Sequence, residues 1–97
     1  MDKPNILLIT TDQQRWDTLG INGNRVCQTA YLDNLAVNGT NFSRAYSTTP
    51  SCIAARRTLL TGQHGTSHGM VGYQDEVEFH PEYTLPGLLG EAGYQTQ

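Results

Sequence analysis

The residues whose types and spacing point to chemistry are Cys52 with Arg56 four positions later, and Asp12 with Gln13 behind an apolar run. A cysteine at the head of a helix lies beside backbone N–H groups that have no acceptor within the helix. It also lies in the partial positive charge of the helix terminus, a setting that favours anions. Arg56 is one helical turn on and shares a face with Cys52. Its planar fork of donors suits anionic oxygens. The plainer alternative is a small buried cysteine and an unremarkable surface arginine, and spacing alone leaves both open. Cys27 has no comparable surroundings and reads as structural or incidental. Asp12 closes the run Ile6–Ile9. In open α/β sheets ligands bind beyond the carboxyl ends of strands, which places Asp12 for a hard cation with the Gln13 amide oxygen beside it. Capping or turn formation is the commoner use of an Asp there, and that alternative stays open.

Helices, strands and loops must hold these groups. Ile6–Ile9 is continuously apolar, the pattern of a strand buried on both faces in a parallel α/β sheet. Residues 12–28 read as a loop with a helical turn around Arg15–Leu19. Thr29 then caps a helix with Asp33 in its first turn, Leu32, Leu35 and Ala36 at helical spacing, and Asn38-Gly39 as its stop. Thr40–Tyr46 reads as a short strand. Cys52–Thr61 is a helix with Ser51 available as cap and Gly62 as stop. Residues 63–83 hold all three histidines and an acidic cluster, and read as an extended loop. Thr84 caps a last helix carrying Leu85, Leu88, Leu89 and Ala92; Gly93 closes it and Tyr94–Gln97 begins another strand.

Length and charge set the outer limits. Ninety-seven residues allow one small domain, and the formal charge of −3, from six basic and nine acidic residues, argues against a general nucleic-acid binder. No stretch approaches the roughly 20 apolar residues of a membrane helix, which predicts no membrane partner. Two cysteines allow a single bridge, not a disulfide scaffold. No export signal is visible, so the chain as written reads as cytoplasmic, and as periplasmic or secreted if a leader was removed.

Cys52-Ile53-Ala54-Ala55-Arg56, with Leu59 and Thr61-Gly62 after it and Thr49-Pro50-Ser51 before it, resembles the type I sulfatase signature: Cys or Ser, any residue, Pro or Ala, any residue, Arg, then a downstream Thr-Gly. The resemblance extends in order along the chain. It takes in Pro4 to Ile9 with Asp12, Leu32 to Ala36 through Gly39, Phe42 with Ala45 and Tyr46, and Thr84-Leu85-Pro86 through Tyr94. It implies the α/β fold of the alkaline phosphatase superfamily, a mixed sheet sandwiched by helices. Residues 1–97 would be the N-terminal segment of a larger catalytic domain, apparently truncated.

The resemblance also implies roles. Cys52 would be converted to formylglycine by a separate maturation enzyme that reads the motif around it, with Ala54 in the position commonly held by Pro. The hydrated aldehyde attacks sulfur, displaces the alcohol and then releases sulfate as the carbonyl reforms. Asp12 and Gln13 map onto the first metal-ligand pair, with the converted Cys52 at the same cation. Ca2+ is expected, with Mg2+ or Mn2+ possible. Many members carry a second Asp at the position of Gln13, so this pair has one less negative charge. Arg56 maps onto the arginine that holds the formylglycine and its metal surroundings. Many members have Tyr-Pro where this chain has His64-Gly65. His68 is a candidate substrate contact, against a loop histidine in solvent or bonded to backbone. Asp75, Glu76 and Glu78 read as a solvated acidic loop. Asn38-Gly39-Thr40 and Asn41-Phe42-Ser43 match a glycosylation pattern that is common by chance.

The function implied is hydrolysis of a sulfuric ester, on a sulfated small molecule or glycan. A formylglycine-dependent phosphonate or phosphate diester hydrolase is the nearest alternative, compatible with the Asp12-Gln13 pair. A third is a truncated chain that is inactive on its own.

Overall fold

A computed structural model describes residues 3–97. It divides the chain into two compact units, one ending at Ala45 and one running Tyr46–Gln97.

The first unit is built around the head of helix α1, Ala30–Asn38, and two 3₁₀ turns, Trp16–Thr18 and Gly20–Asn22. Thr29 stands at the N-cap of α1, as its sequence position predicts, but its hydroxyl makes no capping bond to the helix. The hydroxyl instead accepts from the Gly20 amide at 2.8 Å and donates to the Asp33 carboxylate at 3.1 Å. Asp33 also accepts from the Ile21 amide at 2.9 Å. The N-cap residue and a first-turn residue of α1 thereby satisfy the N–H groups that open the second 3₁₀ turn. Gly20 permits this approach, since a Cβ there would stand 2.3 Å from an Asp33 carboxylate oxygen. Asparagines order the rest of the loop predicted over residues 12–28. Asn24 accepts from the Val26 and Cys27 amides at 2.9 and 2.7 Å and donates to the Asp17 carbonyl at 2.8 Å. Short amide side chains can replace backbone partners in this way wherever the chain turns irregularly.

The expected strands do not form. Ile6–Ile9 is irregular and exposed, with Leu7 at 83%, and no strand occurs over Thr40–Tyr46, Tyr94–Gln97 or anywhere else among the described residues. A strand exists only as one side of a hydrogen-bonded ladder, and none of the described residues supplies the other side to Ile6–Ile9. The apolar run therefore keeps the composition of a two-face-buried strand without its pairing. The described chain is helical and irregular.

The second unit contains α2, Cys52–Thr61; α3, Gly65–His68; and α4, Leu85–Glu91, with α2 packed on both others. The α2 boundaries are those its sequence predicts. Gly62 takes φ +69° and its N–H closes on the Thr58 carbonyl at 2.8 Å, the left-handed stop that glycine adopts without Cβ strain. Ser51 holds the N-cap position in extended conformation, but its side chain makes no capping bond. Thr84 does cap α4, its hydroxyl accepting from the Gly87 amide at 3.2 Å. The loop predicted over residues 63–83 contains α3, a single turn too short to show an apolar period.

Burial in this unit concentrates on Ala54 and Met70, at 0% and 2% exposure, together with Thr49 at 4%. Gly65 is buried among them. A Cβ at Gly65 would meet the Met70 carbonyl oxygen at 2.8 Å and the Thr49 hydroxyl at 3.1 Å. No helix of the described residues is long and apolar enough to cross a membrane.

Gly65→Ala is expected to force the Met70 backbone away and to cost about 1–3 kcal/mol, as overpacking of a close contact does. Urea unfolding of the variant beside the unaltered chain checks this; an unchanged midpoint would show that the contact yields freely.

Candidate active site

Cys52 is the first residue of α2, exposed, with a free thiol. The first turn of the helix holds no acidic residue, and the earliest helical bond runs from the Ala55 amide to the Ser51 carbonyl at 2.8 Å. The N–H groups ahead of Ala55 have no acceptor within the helix, which leaves the Cys52 end of α2 suited to an anion. Arg56, also exposed, follows one turn later on the same face. The buried residues of α2 are Ala54 and Arg57. At 3.6 residues per turn they lie on the opposite side from Cys52 and Arg56. The reading of Cys52 as a small buried hydrophobe is thus overturned, because α2 turns its alanine inward and its cysteine outward.

The chain entering Cys52 is held from several directions. The Ser47 hydroxyl donates to the Thr49 carbonyl at 2.8 Å and accepts from the Thr49 amide at 3.3 Å. The Thr48 and Thr58 hydroxyls are 3.1 Å apart, and Thr58 Oγ1 is 3.0 Å from His68 Nε2. The Met70 amide donates to His68 Nδ1 at 3.3 Å. His68 is therefore half-buried and bonded to the Met70 amide and to Thr58. Its edge also borders a cleft of about 390 Å³ shared with Gln63, Phe79, His80 and Glu82. His80 and Glu78 stand 3.7 Å apart at the surface. In the acidic loop, the Tyr73 hydroxyl donates to Asp75 at 2.5 Å, and that bond raises the Tyr73 pKa above its ordinary 10.0.

Asp12 and Gln13 lie exposed in the first unit, and Gln13 takes φ +52°, a left-handed conformation uncommon outside glycine and the short Asn and Asp. A carboxylate and an amide oxygen are the hard donors a divalent cation of the calcium type takes. Together they carry three oxygens, against the six to eight that such a cation takes. Among the described residues no cluster of three or more His, Cys, Asp or Glu could hold a metal ion. The pair thus suits the group as part of a coordination sphere, not as the whole of one.

Arg57 was not singled out by sequence. It is buried to 9% exposure, donates to the Glu78 carbonyl at 3.1 Å and to the Val77 carbonyl, and lies 4.7 Å over the Phe79 ring. The available signal was its spacing of three from Ala54, which puts it on the inner face. Its charge argued the other way.

A family profile described as Sulfatase matches residues 4–97. The chain belongs to the sulfatase family. An arylsulfatase of Clostridium perfringens (strain 13 / Type A) is 50% identical over 95 residues, 98% of this chain and 20% of the relative. An ulvan-active sulfatase of Formosa agariphila is 46% identical over 94 residues, 97% of this chain and 18% of the relative. The human N-acetylgalactosamine-6-sulfatase is 34% identical over 105 residues, 94% of this chain and 20% of the relative. The chain thus spans about a fifth of the length of these relatives. No solved structure matches it.

Replacing Arg57 by Leu leaves two inward carbonyls without their donor and is expected to loosen the segment 77–79. Limited proteolysis should cut the 73–83 loop several-fold faster in Arg57→Leu than in the unaltered chain, with cleavage near α1 unchanged; equal rates would mean the guanidinium anchors nothing.

Proposed function

We propose that this chain is the nucleophile-bearing N-terminal segment of a sulfatase catalytic domain with the alkaline-phosphatase-like α/β fold, and that the whole protein hydrolyses sulfuric esters. The observation that carries this is the exposed Cys52 at the head of α2, with Arg56 one turn on, in a chain matched by the Sulfatase profile from residue 4 to 97.

In this reading Cys52 is the precursor of formylglycine, made by a maturation enzyme that recognises Cys52 to Arg56. Formylglycine supplies an aldehyde whose hydrate is a nucleophile that no encoded side chain offers. The α2 terminus favours the sulfate anion and Arg56 orients its oxygens with a fixed fork of donors. Asp12 and Gln13 contribute oxygens to a divalent cation, Ca2+ in the first instance, whose charge stabilises the anionic group under attack. The substrate is an organic sulfate monoester. The relatives' names refer to aryl, ulvan and N-acetylgalactosamine-6-sulfate activities, which makes a sulfated glycan or an aryl sulfate the class to assay.

Trypsin releases residues 45–56 as one peptide. After co-expression with a maturation enzyme, mass spectrometry of that peptide should find the Cys52 thiol replaced by an aldehyde. In the enzyme containing this chain, Cys52→Ala should lower aryl sulfate hydrolysis by on the order of 10³-fold or more. An intact thiol in a host that matures other sulfatases would sink the reading. Faster turnover of aryl phosphonates than aryl sulfates would reassign the substrate class.

A further inference from the structure

Residues 47–51 are Ser-Thr-Thr-Pro-Ser, a segment with no large apolar side chain to bury. Its order must come from hydrogen bonds, since burial offers it little against the entropy of fixing the backbone. Besides the Ser51 carbonyl that opens α2, it is tied to the rest of the unit by Thr49, 4% exposed and packed toward Gly65, and by the Thr48 hydroxyl on Thr58. Thr58 is in turn bonded to His68.

The direction of these bonds follows from the donors. Met70 N–H can only donate, so His68 Nδ1 accepts and carries no proton. The neutral ring then holds its proton on Nε2 and donates to Thr58 Oγ1. The Thr58 hydroxyl keeps a second lone pair and its own proton, and either serves the bond to Thr48 Oγ1. Both nitrogens of His68 are engaged, and the chain of bonds runs His68 to Thr58 to Thr48.

Thr48 is four residues before Cys52 and Thr58 six after it. At about 1.5 Å per residue Thr58 lies roughly 9 Å along α2 from Cys52. The incoming segment therefore runs back along the helix and turns at Pro50-Ser51, and Cys52 sits at the tip of the turn. We infer that His68 is a positioning residue that acts through Thr58 and Thr48 to fix the turn presenting residue 52. The catalytic consequence rests on the reading of Cys52 given above; the hydrogen-bonded tether does not.

The test uses His68→Ala, Thr48→Val, Thr58→Val and Thr58→Ser. Thr48 is at the surface, so Thr48→Val breaks the last link with little risk to folding. Amide hydrogen exchange over residues 46–55 should quicken about fivefold in the first three, as loss of one hydrogen bond allows. Exchange over α1 should not change, and Thr58→Ser should match the unaltered chain. The double variant Thr48→Val with His68→Ala should exchange no faster than the faster single. In the mature enzyme the same three variants should lower kcat about tenfold with KM within about twofold, and Thr58→Ser should restore kcat. Unchanged exchange, or additive effects in the double variant, would remove the tether. Faster exchange with unchanged kcat would remove the positioning role. A raised KM at constant kcat in His68→Ala would make the histidine a substrate contact and overturn the proposal. Absence of sulfate ester hydrolysis in the unaltered mature enzyme would instead strike the reading of Cys52.

Discussion

A guanidinium cannot be taken out of water without acceptors, and the second unit is arranged around that requirement. Arg57 turns inward from α2 and meets the Glu78 and Val77 carbonyls and the Phe79 ring. The two carbonyls gain a donor that the irregular segment 77–79 does not supply itself. The arginine also sets the rotation of α2. With Arg57 and Ala54 facing in, Cys52 and Arg56 must face out, because residues of one helix cannot change sides independently. Two adjacent arginines thus do opposite work: one joins the helix to the loop beyond it and its neighbour stays at the surface beside the cysteine.

The first unit solves a similar problem with neutral and acidic groups. Thr29 and Asp33 at the head of α1 receive the amides of Gly20 and Ile21, so the helix start organises the preceding turns. That arrangement diverts the threonine from the capping role its position predicts. It costs the helix a cap and gives the loop a fixed partner. Thr84 makes the opposite choice and caps α4 in the ordinary way. The same residue type at the same helix position serves different neighbours according to what is unsatisfied nearby.

Helix boundaries in this chain follow local chemistry. Gly62 ends α2 and Thr84 begins α4 because the stop and the cap need only a few residues of sequence. The strands were less accessible. Ile6–Ile9 has the composition of a buried strand, but a strand requires a partner to receive its N–H and C=O groups, and residues 3–97 offer it none. The turn α3 was hidden for another reason: four residues, Gly-Thr-Ser-His, are too few for an apolar period.

The sequence by itself determined the signature from Cys52 to Gly62, the helix that carries it and the family to which the chain belongs. These are properties of residue order and of contacts within a turn or two. Only the tertiary structure decided which side of α2 is buried, that Arg57 rather than Arg56 is the anchor, and that His68 spends both ring nitrogens on Thr58 and Met70. The physical reason is that burial and hydrogen-bond satisfaction depend on groups well beyond the neighbouring turn, such as Val77 and Glu78, 20 and 21 residues from Arg57. Local spacing limits the faces a side chain can occupy, and the acceptors it finds across the fold select among them.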